Sequence, residues 1–216
     1  MFYDMFGDLV ANSRGWKVRN LTEFYLDGKN SIKCGPFGSA LKKHEYTSQG
    51  IPVWVMDNIS GSRFIDKPFL YISNNKYDQL KSYSVNNGDI IISRAGTVGK
   101  MCEIKTQYKN SIISTNLIRL RLNADLLPLF FVSLMTYCGP QICTLRTGNE
   151  GAFTHMNTGV LNNINFPYPP IDLQNKFAEI VQEIESQRQL MEESLVEMEN
   201  NYNSLMQRAF KGELFS

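Results

Sequence analysis

Three residues of this sequence carry a spacing that could do chemistry: Asp89, Glu103 and Lys105. An aspartate followed at a distance by Glu-x-Lys can hold Mg²⁺ on two carboxylates while the lysine assists a water attacking phosphate. The pattern is short, and a chain with 43 charged residues meets it easily by chance. A metal-dependent nuclease therefore stands as the alternative reading. Other metal chemistry has little to work with. The four cysteines at 34, 102, 138 and 143 form no C-x-x-C pair, and His44 and His155 are the two histidines. Free buried thiols in a reducing cytosol are the expectation, with no metal and no cofactor.

Two further stretches invite catalytic readings and lose them on inspection. In "SRAGTVGK" (93–100), Gly96 and Gly99 precede Lys100 and Met101 follows it, so the G-x-x-x-x-G-K-[ST] spacing of a nucleotide-hydrolysing phosphate loop is missing. "YPPI" (168–171) resembles the Pro-Pro motif of amino-methyltransferases. Tyr168 stands where those enzymes need Asn or Asp to hold the target amino group. No glycine-rich loop for S-adenosylmethionine is visible either.

What remains is chemistry of recognition. Arg94 to Lys100 form a glycine-opened loop with two cations and Thr97, suited to laying N–H groups and charges along a phosphate backbone. "CGPFGSALKK" (34–43) is a second such loop, ending in Lys42 and Lys43. Base edges need other groups. Arginine and lysine match guanine's acceptors, and asparagine bridges adenine N6 and N7. The 146–157 loop offers Arg146, Asn149, Thr154, His155 and Asn157; a stretch over 57–66 adds Asn58, Ser60 and Arg63. Polar surface loops of no particular function share this composition.

These loops need a scaffold. "IPVWVMD" (51–57), "DIIISR" (89–94) and "IISTNLIRLRL" (112–122) read as strands. "NKYDQLKSY" (75–83) and "PLFFVSLMTYC" (128–138) read as helices, and Asn157 can cap a short helix through "TGVLNN". The elements do not alternate regularly, which predicts an irregular α+β domain over 1–170. The longest apolar run, Leu126 to Met135, is about half of the roughly 20 residues a membrane span needs. The N-terminal decapeptide holds two aspartates and no basic residue, unlike a secretory signal, so a cytoplasmic protein is expected.

The chain changes character at Pro167, Pro169 and Pro170. Residues 1–170 hold 18 lysines and arginines against 12 acids, while 171–216 hold 4 against 9. A basic body suggests a polyanionic partner, and an acidic tail stands apart from it. In the tail Phe177, Ile184, Met191, Met198 and Leu205 recur every seven residues, accompanied by Ile180, Leu195 and Tyr202. Gln187 interrupts the stripe. Asp172 is a suitable N-cap and Gly212 a suitable stop. A helix over 173–210 would be about 57 Å long, and so long an apolar stripe needs a partner helix. A helix folded back on its own domain is the competing reading.

Seven stretches then occur in an order that is similar to a known family: "GWKVRNL" (15–21), "CGPFGSALK" (34–42), "GIPVWVMDNISG" (50–61), "VNNGDIIISRAGTVGK" (85–100), "STNLIRLRL" (114–122), "FPYPPIDLQNKF" (166–177) and "LMQRAFKGEL" (205–214). Together they resemble one target-recognition domain and one spacer helix of a specificity subunit of a Type I restriction–modification enzyme. "DLQNKF" departs from the family's more usual Glu-Gln followed by a smaller aliphatic residue. Family subunits usually carry two recognition domains and two helices, so this chain looks like a half subunit. The resemblance implies double-stranded DNA binding and no catalysis by this chain. It also implies docking to methyltransferase (modification) subunits, with nuclease/translocase subunits joining for restriction. It implies an antiparallel coiled coil, here between two copies, with 171–216 as spacer and homodimerisation helix. Lys42, Lys43, Arg94 and Lys100 lie on motifs shared by members that read different targets, which assigns them to phosphate. A helix-mediated interaction protein without a DNA role is the third reading.

Overall fold

The computed structural model describes residues 1–94, 99–147 and 156–211, with backbone alone at 39 and 143–147. In chain order the strands are β1 (Val18–Asn20), β2 (Ile32–Cys34), β3 (Tyr46–Thr47), β4 (Ile51–Trp54), β5 (Ile59–Ser60), β6 (Arg63–Phe64), β7 (Leu70–Ile72), β8 (Ile90–Ser93), β9 (Met101–Glu103), β10 (Ile112–Ile113), β11 (Leu117–Leu120) and β12 (Asn165–Pro167). The α-helices are α1 (Phe2–Phe6), α2 (Asn74–Leu80), α3 (Pro128–Thr147), α4 (Thr158–Asn162) and α5 (Ile171–Phe210). This is the α+β domain with a long C-terminal helix that the sequence predicts. Contacts within the chain divide it into Met1–Gln174 and Asn175–Ser216.

Two four-stranded sheets carry the first unit. One has the order β10-β4-β7-β3, the other β2-β11-β8-β9. The β10–β4 pair is parallel; the other pairs in these sheets are antiparallel. Ile90, Ile91 and Ile92 on β8 and Leu117, Ile118 and Leu120 on β11 are all fully buried. Burial on both faces explains why these strands read as continuous apolar runs rather than alternating ones. Trp54, at the end of β4, packs edge-on against Phe64 with ring centroids 4.8 Å apart.

The run 112–122 is not one strand. Ser114 donates its N–H to Trp54 O (2.8 Å), and Leu117 N–H turns back to Ser114 O (3.2 Å). The break places β10 in one sheet and β11 in the other. Composition could not reveal it, because Ser-Thr-Asn is compatible with both a strand and a turn.

Three terminal signals also resolve. Pro128 opens α3, where a first helical residue has no need of its N–H. Asn157 Oδ1 accepts Val160 N–H at 3.0 Å and caps α4, as its position predicts. Asp172 is not an N-cap: α5 begins one residue earlier, and Asp172 lies in its first turn. There its charge favours the helix dipole instead. The last described residue of the chain precedes Gly212, whose role as a stop lies outside the described residues.

The proline segment is held from both sides. β12 pairs antiparallel with β1, bringing Phe166 opposite Arg19. Gln174 is fully buried; its Oε1 accepts Leu127 N–H (3.1 Å) and its Nε2 donates to Pro169 O (2.9 Å). One amide thus joins the first turn of α5 to the entry of α3. Cys102 and Cys138 are buried thiols, and burial pushes Cys102 up to about 12. No described helix is long and apolar enough to cross a membrane.

On α5, Ile180, Ile184, Met191, Leu195, Met198, Tyr202 and Leu205 are exposed, so they stand as an unpartnered stripe within the chain. Phe177 differs, being only 2% exposed. At that exposure Phe177 has little apolar area left to offer a partner helix. Gln187 turns its amide to Glu183 Oε1 at 2.9 Å.

Gln174→Ala is expected to strand a buried N–H and a buried C=O at once. Each unmet group costs about 1–3 kcal/mol. Chemical denaturation should show the loss for Gln174→Ala and less than about 0.5 kcal/mol for an exposed neighbour such as Asn175→Ala.

Candidate nucleic-acid interface

The 34–43 loop begins at a backbone contact that only glycine allows. Gly35 donates its N–H to Leu117 O (2.9 Å), and a Cβ there would lie 1.9 Å from Ser114 O. Pro36 is buried behind it, Phe37 is exposed, and Gly38 takes a positive φ of 53°. A 3₁₀ turn over Gly38–Ala40 closes with Ala40 N–H to Phe37 O at 3.0 Å. Leu41 anchors the far side in the core. Lys42 and Lys43 then emerge exposed. Glu45 is turned away from them into a brace: it accepts Lys42 N–H (2.6 Å) and pairs with Lys76 (2.7 Å). Those two contacts, the backbone N–H first, hold its carboxyl below the usual range.

The second basic loop leaves the same junction. Arg94 donates its N–H to Asn116 O (3.0 Å), and Ser93 N–H reaches Lys100 O (2.8 Å), so the loop closes at its base. The Arg94 guanidinium lies over the Phe37 ring, 4.6 Å from its centroid. The structure thus sets Arg94 against Phe37 of the loop that ends in Lys42 and Lys43, residues distant from it in sequence. Thr97 lies outside the described residues. Lys100 is exposed and lines a cleft of about 320 Å³ with Met56, Asp57 and Ser60.

That cleft is bounded by the β5–β6 hairpin. Ser60 pairs with Arg63 across it, and Gly61 takes a φ of 61° at the tip. Ser62 Oγ lies 2.8 Å from Thr136 Oγ1 on α3. Ser60 and Arg63 are exposed. Asn58 requires a correction. It is fully buried, its Oδ1 accepts Val55 N–H (3.0 Å), and its Nδ2 donates to Ile65 O (2.9 Å) and Lys67 O (3.0 Å). An amide so occupied shapes the hairpin from beneath and presents nothing to a base edge.

Of the other candidate readers, Asn157 is exposed, with its Oδ1 committed to the α4 cap. Arg146 lies on the last turn of α3, and its side chain, like Asn149, Thr154 and His155, is outside the described residues.

The nuclease constellation does not assemble as a site. Asp89 is 2% exposed. Its two carboxylate oxygens accept Arg121 Nε and Nη2, each at 2.7 Å, and Asn86 N–H adds a third bond at 2.8 Å. Those hydrogen bonds raise the Arg121 guanidinium above its usual range. Glu103 pairs with Lys105 at 3.5 Å on a more exposed position. No group of three metal-ligating side chains occurs among the described residues. Asp89 is a structural acid, and Arg121 was the partner that motif spacing could not reveal. Arg119 is buried beside this pair, donating to Ser84 O and Asn30 O at 2.6 Å each; burial, then Arg121, lowers its pKa.

Asp89→Ala is expected to cost about 3 kcal/mol, because it leaves a part-buried guanidinium and a backbone N–H without an acceptor. Glu103→Ala should cost under about 1 kcal/mol, as exposed pairs do. Urea unfolding of both variants tests the assignment. Equal effects of the two would contradict a scaffold role for Asp89.

Residues 14–200 match the family model of the Type I restriction modification DNA specificity domain. A crystal structure of the HsdS subunit from Thermoanaerobacter tengcongensis superposes with a TM-score of 0.53 at 17% identity, covering 93% of this chain and 46% of that one. A structure described as the basis of complex assembly and conformational transition of the type I R-M system gives 0.57 at 18% identity, over 93% and 47%. The S subunit from M. genitalium gives 0.56 at 16% identity, over 94% and 50%. The chain spans about half the length of these structures, and at such identities the likeness is one of fold. No curated protein matches the sequence.

Proposed function

The chain belongs to the Type I restriction modification DNA specificity domain family, and on that premise we propose that it reads one half-site of a bipartite DNA target. In this reading it is a sequence-specific recognition subunit without catalysis of its own. It docks methyltransferase subunits and, in a restricting assembly, nuclease/translocase subunits. The observation that carries the reading is the convergence of the two basic loops, 34–43 and 94–100, at one junction of a domain in this family.

Roles divide by chemistry. Lys42, Lys43, Arg94 and Lys100, with Thr97, hold phosphate and set position. Sequence is read by Arg146, Asn149, Thr154, His155 and Asn157, and by Arg63 on the β5–β6 hairpin. The exposed stripe of α5 pairs antiparallel with that of a second copy around a two-fold axis. A helix of 40 residues is about 60 Å long, so it sets the gap between two readers at its ends. Its excess of acid keeps it off the DNA.

Three measurements test this. In the assembled complex, alanine at Lys42, Lys43 or Lys100 should weaken binding to every duplex alike and lower the salt slope by about one unit each. A changed sequence preference with an unchanged slope would overturn the phosphate assignment. Met191→Asp with Met198→Asp puts charge into the seam and should yield monomers in sedimentation; wild-type sedimentation of the double variant would sink the pairing. Finally, methylated sites should be mapped in a randomised DNA library with Arg146→Ala or Asn149→Ala. A lost bidentate contact costs about 1–3 kcal/mol and relaxes one position, appearing inverted in both half-sites if two copies read the site. A target unchanged by every such substitution would place the readers elsewhere.

A further inference from the structure

We infer that Phe37 is an apolar wedge that enters a base step of the bound duplex, with Arg94 beneath it supplying the adjacent phosphate contact. The inference rests on the DNA-reading function proposed above and goes beyond its polar contacts.

The first observation is cost without return. Phe37 is 54% exposed, although burial of its ring would be favourable. The chain nevertheless fixes it outward. Gly35 is locked against Ser114 O, Pro36 is buried, Gly38 takes its positive φ, and Ala40 N–H closes the turn on Phe37 O. A turn held in this way keeps the ring available to a partner.

The second observation identifies the partner's charge. The Arg94 guanidinium lies on one face of the ring, and Lys42 and Lys43 follow on the same loop. Arg94 Nη1 is buried and finds no hydrogen-bond partner among the described residues. An unmet buried donor calls for an acceptor, and an anionic oxygen is the strongest one. A surface that pairs one protruding phenylalanine with several cations matches a duplex, in which an apolar base step lies between rows of phosphate. Phenylalanine wedges between base steps are a known means of unstacking and bending DNA. A step opened by Phe37 would bring a backbone phosphate oxygen within reach of the Arg94 guanidinium beside the ring.

The test uses the chain assembled with its modification subunits, on duplexes carrying the methylation site mapped from cells. 2-Aminopurine replaces each adenine of the half-site and its flanks in turn, on either strand. The wild-type complex should raise fluorescence at one step per half-site. Phe37→Ala should abolish that rise and weaken binding about ten-fold while leaving the salt slope unchanged, since no charge is lost. Phe37→Leu should keep part of both effects, and Phe69→Ala, at another exposed ring, should keep all of them. Lys42→Ala should do the reverse of Phe37→Ala, lowering the slope and keeping the rise. No fluorescent step in the wild-type complex, or a rise that survives Phe37→Ala, overturns the wedge while leaving DNA reading intact. Loss of a modification subunit on Phe37→Ala, with DNA unstacking unchanged, would make Phe37 a protein contact and also overturns it. Failure of the wild-type complex to bind its mapped site would defeat the wedge together with the function beneath it.

Discussion

The break at residues 114–116 is the constraint from which the rest of the domain follows. Ser114 bonds to the end of β4, Asn116 accepts from Arg94, and Leu117 accepts from Gly35. One short turn therefore joins the two sheets and roots both basic loops. The approach is too close for any side chain on Gly35, whose Cβ would overlap the Ser114 carbonyl. Both loops therefore start from backbone bonds to the same turn.

The interior uses charge in an unusual way for so small a sheet. Arg119 lies on β11 and Arg121 just beyond it, with Asp89, just before β8, held by the Arg121 guanidinium. Among the described residues Arg119 meets backbone carbonyls rather than a carboxylate, and its Nε is buried without a hydrogen-bond partner. Two cations beside one acid are expensive to bury, and removing the acid leaves both exposed to that cost. This explains why a pattern that looks like metal chemistry serves architecture. A carboxylate bound by a guanidinium fork and a backbone N–H has little left to offer a cation.

The helix α5 poses the opposite case, apolar groups without cover. Its heptad stripe stays exposed beyond Phe177, and intrahelical pairs such as Arg188 with Glu185 at 3.0 Å keep the surrounding face soluble. Exposed pairs of this kind contribute little stability. They do not substitute for the apolar contacts the stripe lacks. A helix with such a seam is informative about a partner in a way that a folded-back helix would not be.

The sequence by itself determined the classes of element and the character of the two parts. The isoleucine runs marked buried strands because burial on both faces demands continuous apolar residues. The heptad of α5 marked a long helix because seven residues return close to the same face. Asn157 announced its cap because local hydrogen bonding needs only neighbours. The ordered motifs pointed to the family because each is a local stretch whose residues and order are legible without the fold. Tertiary structure alone decided what depended on residues distant in the chain. It split 112–122 into two strands, gave Asp89 to Arg121 and set Arg94 on Phe37. Each of these is a contact between side chain or backbone groups whose separation along the chain carries no periodic signal, so only the packed fold could choose them.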